Sequence, residues 1–164
     1  MQRNPRRFHV SVVFPVPPSF AYAWCTDYTP EDGKYAGEDR SIGLTRRIVQ
    51  RTRRRVIFEN LYNVGNGWGW ERHTVRLSPP DRWHSDGIGS FHESHLDYRL
   101  SEPPGDQTKF DMSWTSSPMP WHEGGRTPRE VVENYVVKLW QRRAKPMSRE
   151  YTTQHRNKVK GRRP

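Results

Sequence analysis

The chain has 164 residues, 32% apolar and 12% aromatic content with seven tryptophans, and a formal net charge of +10. That aromatic load excludes a disordered polar chain, and the length suits one domain able to bury a core and a cavity within it. Cys25 is the lone cysteine, which excludes an internal disulfide, and no segment approaches the roughly 20 apolar residues of a membrane span. VSVVFPV after Arg3, Arg6 and Arg7 is too short and too proline-bound for a signal peptide, so a cytoplasmic chain is expected. The charge sits at the ends. Residues 1–7 carry +3 and residues 142–164 carry +8, while 8–141 sum to −1.

FHVSVVF (8–14) is β-branched and aromatic, a strand that PVPP stops. SFAYAWCTD (19–27) is helix-compatible, with Phe20, Ala23 and Trp24 on one face. YTPEDGKYAGEDR (28–40) reads as a loop, with room for one helical turn after Thr29-Pro30. From 41 to 117 strands follow one another. SIGLTRRIVQR and VIFENLYNV flank a basic turn, GNG (65–67) marks a hairpin before WGWERHTVRLS, and PPD turns the chain into RWHSDGI. SFHESHLDYRL and QTKFDMSWTS are joined by PPGD. Short links make the sheet antiparallel.

SPMPWHEGG (117–125) breaks the pattern. In TPREVVENYVVKLWQRR (127–143), Val132, Tyr135, Val136, Leu139 and Trp140 recur at helical spacing. Thr127 is the expected N-cap, Pro128 suits the first turn and Glu130 completes a capping box. Pro146 is expected to kink or interrupt the helix, and MSREYTTQHRNK beyond it can continue as helix. A sheet cannot bury its inner face alone, and this stripe is the one large cover available. The expectation is an α+β domain, with a curved antiparallel sheet wrapped around a long C-terminal helix.

This order resembles the helix-grip fold of the START/Bet v 1-like (SRPBCC) superfamily, and especially its polyketide cyclase/dehydrase-like branch. FHVSVVFPVPPSFAYAWCTD is similar to the family's opening strand, proline link and first helix, whose closing Asp would be Asp27. LDYRLSEPPGDQTKFDMSW is similar to its last two strands, with Thr108 after the turn. TPREVVENYVVKLW is similar to its closing helix. Residues 28–40 depart from the pattern, since they are too rich in Gly and acids for the family's second short helix. The resemblance implies a domain over 8–145 between a basic arm (1–7) and a basic extension (146–164). It also implies an elongated cavity between sheet and helix for a lipid, sterol, quinone or polyketide; cyclases and dehydratases are a minority, and a few members resemble ribosome-associated factors.

Alternation assigns the faces of two strands. His92, Ser94, Leu96, Tyr98 and Leu100 point inward, against Glu93, His95, Asp97 and Arg99 outward; Phe110, Met112 and Trp114 also point inward. The expected ligand lining is therefore Ser94, Leu96, Phe110, Met112, Trp114, Tyr135, Leu139 and Trp140, with Trp121 in the loop before the helix as a lid. His92 and Tyr98 could serve as acid and base on a bound carbonyl compound, or be core residues with satisfied polar atoms. HESH (92–95) is no metal motif, because i and i+3 on a strand face opposite ways. GNGWGW opens a strand rather than a helix, so no phosphate loop and no cofactor are expected.

TRRIVQRTRRRVIF (45–58) holds six arginines. Arg53, Arg54 and Arg55 fall at a hairpin turn, where arginines are ordinarily solvated. An anionic partner, whether RNA, a ribosome or a membrane surface, would be met mainly by Arg3, Arg6 and Arg7 and by Arg156, Lys158, Lys160, Arg162 and Arg163, through phosphate contacts. Solvated tails that aid solubility are the alternative.

Overall fold

The structure is a computed structural model and describes residues 5–32, 44–63, 67–119 and 127–160; the side chains of 32, 44 and 156–160 lie outside that description. The elements run β1 (Arg6–Phe14), α1 (Pro18–Cys25), a 3-10 turn (Pro30–Asp32), β2 (Leu44–Arg51), β3 (Arg55–Asn63), β4 (Trp68–Ser78), β5 (Arg82–Gly89), β6 (His92–Ser101), β7 (Thr108–Pro118) and α2 (Arg129–Lys160). The seven strands form one antiparallel sheet, order β1-β7-β6-β5-β4-β3-β2, so β2 to β7 are a meander and the first strand returns beside the last. The expected curved sheet with a long closing helix is the observed architecture.

β1 shows why the chain extends there. Phe8, Val10, Val12 and Phe14 are buried while His9, Ser11 and Val13 face out, the period-two pattern of a half-covered strand. Turns follow their chemistry: Pro79-Pro80-Asp81 joins β4 to β5, and Gly105 takes the positive φ of +92° that a Cβ would oppose before β7. Thr108, fully buried, donates its hydroxyl to the Val16 carbonyl at 2.7 Å and ties the start of β7 to the link before α1.

α2 lies against β1, and Trp140, Ala144 and Met147 enter the core from it. The Trp140 ring sits 4.4 Å from Phe110, which in turn lies 5.2 Å from Phe14. The expected start of the helix is corrected. The helix starts at Arg129, so Pro128 precedes it and accepts from the Val132 N–H; Thr127 stands one residue too early to cap. Pro146 lies inside a helix that continues to Lys160. A proline in a helix interior costs about 3 kcal/mol, and burial of Ala144 and Met147 on either side of it offsets a cost of that size. The helix thus runs through position 145/146, and β1 begins at Arg6.

Candidate ligand cavity

Because α2 leans on β1, the inner face is covered unevenly. Phe14 and Phe110 are fully buried under the helix. The inner face of β2 to β5 is left partly open, and there a cavity of about 240 Å³ forms. Its rings come from Trp24 on α1, Tyr28 in the following loop, Phe58 on β3, Trp83 on β5, Tyr98 on β6 and Trp140 on α2. Trp83 and Tyr98 stack at 4.8 Å, and Tyr28 and Phe58 at 5.2 Å. Asp27, Thr29, Glu31 and Glu150 complete the wall toward α1 and α2.

The loop that carries Tyr28 is held from outside. The Arg51 guanidinium donates to the Asp27 carbonyl and, at 2.7 Å, to the Tyr28 carbonyl. Tyr28 itself has a φ of +42°, rare for a residue with a side chain. The anchoring keeps its ring over the cavity.

Beside the rings that the sheet supplies runs a polar row. The sheet register sets Arg46 across from Asn60 and Asn60 across from Glu71, so three neighbouring strands present one line of polar groups inward. Arg46 Nε donates to Asn60 Oδ1 at 3.0 Å, and Asn60 Nδ2 donates to Glu71 Oε1 at 2.6 Å. Glu71 Oε1 lies 3.4 Å from His73 Nε2, and His73 Nδ1 is 3.1 Å from Ser85 Oγ. The His73 ring stacks on the Phe58 ring at 4.9 Å, and the Arg46 guanidinium lies over the same Phe58 ring, 4.2 Å from its centroid. Burial alone would raise the Glu71 carboxyl, but the hydrogen bond and charge of His73 and the Asn60 amide outweigh it and hold the pKa below its usual value. Burial pushes the Tyr98 and Tyr28 hydroxyls well up, so both stay neutral phenols at ordinary pH.

Two glycines make the row possible. A Cβ at Gly87 would stand 2.7 Å from the His73 ring, and one at Gly89 would stand 2.9 Å from Glu71 Cβ. Both contacts are closer than real side chains allow, so the two glycines of DGIGS give the imidazole and the carboxylate their places beside β5.

Several expected site residues lie elsewhere. Trp140 and Tyr98 do line the cavity. Phe110 and Met112 are solid core, Ser94 is buried between strands beside Gly87, and Leu96 packs against the core. Trp114 stacks on Phe8 at 4.7 Å, toward the β1 side. Tyr135 is 52% exposed and Leu139 half-buried, because the face of α2 that packs on the core runs through Val136, Val137, Trp140, Ala144 and Met147 and passes beside Tyr135. Trp121 falls outside the described residues. His92 is half-buried opposite Pro118 and bears on the cavity through its charge on Glu71. The acid/base candidates brought into the cavity are Glu71 and His73. One signal in the sequence marks them: in WGWERHTVRLS, alternation from Val75 and Leu77 puts two ionisable groups on the apolar side.

The chain was compared with known proteins. No family model matches it, and no curated protein matches it in sequence. Solved structures do. Ara h 8.0201 superposes with a TM-score of 0.64 at 13% identity, over 88% of this chain and 98% of that one. An aromatase/cyclase, Zhui, from Streptomyces sp. R1128 gives 0.62 at 12% identity, over 90% and 93%. A START superfamily protein from Mycobacterium smegmatis gives 0.58 at 11% identity, over 87% and 93%. The chain has the helix-grip fold of the START/Bet v 1-like superfamily. At these identities the likeness is one of fold, and no helix among the described residues is long and apolar enough to cross a membrane.

The arginines weighed for an anionic partner divide. Arg53 and Arg54 form the exposed β2–β3 turn, and Arg55 opens β3, where its guanidinium donates to Gln50 at 2.7 Å. Arg6 is engaged within the fold, donating to the Thr127 carbonyl at 2.7 Å and lying over the Phe8 ring at 4.9 Å; Arg7 is exposed on β1. Arg156, Lys158 and Lys160 belong to the last turns of α2, with side chains outside the description, and Arg3, Arg162 and Arg163 lie outside the described residues.

Proposed function

We propose that the protein binds a small, ring-containing molecule of the quinone or polyketide-like class between sheet and α2. The observation that carries this reading is the cavity itself. Its 240 Å³ exceed the roughly 150 Å³ that hold a benzene, which leaves room for two fused rings. Six aromatic residues would clasp the faces of the rings, while Arg46, Asn60, Glu71 and His73 would orient polar substituents at one end, the usual division in ligand sites. Names of structural neighbours, a START protein and an aromatase/cyclase, agree with such a ligand.

The test uses the cavity tryptophans Trp24, Trp83 and Trp140. Titrating 1,4-naphthoquinone should quench their fluorescence saturably, and Ser85→Leu, which places a branched side chain in the cavity, should abolish that quenching while the domain still unfolds cooperatively. Absence of saturable quenching in the unaltered protein, or equal binding by the Ser85→Leu variant, would overturn the reading.

A second reading, acid/base catalysis of the cyclase or dehydratase type, is favoured by one observation: a carboxylate and an imidazole 3.4 Å apart in the cavity wall. His73 would take a proton next to a bound carbonyl and Tyr98 would donate a hydrogen bond to the oxygen. Deuteration of a cyclic ketone such as 1-tetralone in heavy water, followed by NMR, checks it. His73→Gln should slow the exchange about 100-fold or more, the scale of a positioned acid/base; no catalysed exchange by the unaltered protein excludes this chemistry for that ketone.

A further inference from the structure

The outer face of the sheet carries a second cluster. His84-Ser85-Asp86 on β5 and His95-Leu96-Asp97 on β6 are two H-x-D segments on neighbouring antiparallel strands. Period-two alternation sends all four ionisable side chains out of the same face. The register then sets His84 across from Asp97 and Asp86 across from His95, so the four side chains form a square with histidines on one diagonal and aspartates on the other. His84 Nδ1 lies 2.7 Å from Asp97 Oδ1, and His84 Nε2 lies 2.8 Å from Asp86 Oδ1. His95 Nδ1 is 2.7 Å from that same oxygen. From β4, Arg76 Nη1 donates to the other Asp86 oxygen at 2.8 Å.

We propose that His84 Nε2, His95 Nδ1 and Asp86 Oδ1 form a site for a divalent transition-metal ion of the zinc class. The three ligand atoms lie within 4.8 Å of one another, and two imidazoles with one carboxylate are a donor set that zinc takes and that magnesium and calcium, which demand oxygen, do not. The surroundings orient the donors. A His84 Nδ1–H donated to Asp97 leaves the Nε2 lone pair directed at the site, the carboxylate–histidine arrangement that commonly supports metal-bound histidines. Arg76 occupies Asp86 Oδ2 and leaves Oδ1 toward the histidines. Each histidine nitrogen now stands at hydrogen-bond separation from Asp86 Oδ1, and the three atoms lie within 4.8 Å of one another; around a tetrahedral ion with bonds of roughly 2.0–2.1 Å every pair would stand about 3.3 Å apart, a change that side-chain rotation supplies without altering the strand pairing. Binding displaces the protons the donors share, and water completes the coordination of this partly exposed site.

Sequence spacing alone hid this site, because the histidine pair weighed there was His92 and His95, which face opposite ways. The ion would sit behind the cavity rather than in it. Ser85 and Tyr98, neighbours of the cluster on the same strands, point inward to the cavity. A bound ion would therefore clamp β5 to β6 from outside, and would not touch the ligand.

Calorimetric titration of the full chain with zinc chloride should show one ion per chain at micromolar affinity and a higher melting temperature. His95→Gln and Asp86→Asn should weaken binding at least 10-fold, Asp97→Asn should weaken it about 10- to 100-fold through its loss as a supporting partner, and His155→Gln should leave it unchanged. A measurement needing no variant is paramagnetic cobalt(II) on the unaltered protein: the ring signals of His84 and His95 should shift before those of the other five histidines. Zinc affinity weaker than millimolar, equal affinity in a folded His84→Gln/His95→Gln variant, or cobalt shifts that begin at other histidines would each overturn the proposal.

Discussion

Replacing Asn60 with leucine tests the polar row at its centre. Asn60 is 4% exposed and nearly the shape of leucine, so the change removes hydrogen bonds without opening a void. Arg46 Nε loses an acceptor at 3.0 Å and Glu71 Oε1 loses a donor at 2.6 Å. Leaving each group short of a buried partner costs about 1–3 kcal/mol. Burying the leucine side chain returns roughly 1.5–3 kcal/mol. The net expectation is a destabilisation of about 2 kcal/mol, which for a domain of this size lowers Tm by about 4–8 °C. Urea unfolding at neutral pH, with m unchanged, measures it. The sign of the pH dependence follows from Glu71, whose folded pKa is lowered and is held there in part by the Asn60 amide. Its contribution is fully present above the usual carboxylate value and is lost as pH falls through the lowered folded value. The deficit of the leucine variant should accordingly be largest near neutral pH and narrow in acid. A variant as stable as the unaltered protein at pH 7, or a deficit that grows on acidification, would refute the chain of hydrogen bonds from Arg46 to Glu71.

Gly87→Ala, with its new Cβ 2.7 Å from the His73 ring and from Ser94 Oγ, should cost about 1–3 kcal/mol as overpacking and displace the imidazole, read by thermal unfolding and by the His73 ring signals in NMR. Met147→Ala removes a fully buried side chain beyond Pro146 and should cost about 2–5 kcal/mol, whereas a separate extension after residue 145 would tolerate it; denaturant unfolding decides. Arg53→Gln with Arg54→Gln, at the exposed β2–β3 turn, should leave stability within about 0.5 kcal/mol. If that pair also leaves salt-dependent binding of a single-stranded RNA unaltered while truncation after Tyr151 removes it, the end of α2 is the anionic-partner surface; if the full chain shows no such binding, the basic termini are solvated tails.

Local chemistry determined the elements. β-branched alternation set the strands, Pro-Pro-Asp and Pro-Pro-Gly-Asp set turns, and a stripe at helical spacing set the long helix, because these preferences act over a few residues. The inner faces of β6 and β7 were legible for the same reason. What tertiary structure alone decided was which part of that inner face becomes core and which becomes cavity. β1 pairs with β7 and α2 leans on β1, so Phe110 and Met112 are sealed, while the face of β2 to β5 stays partly open. Likewise Arg46, Asn60 and Glu71 are far apart in the chain and meet only through strand register, as do the two H-x-D segments. Register and helix placement arise from packing the whole chain, a sum of non-local contacts that no short window of sequence contains.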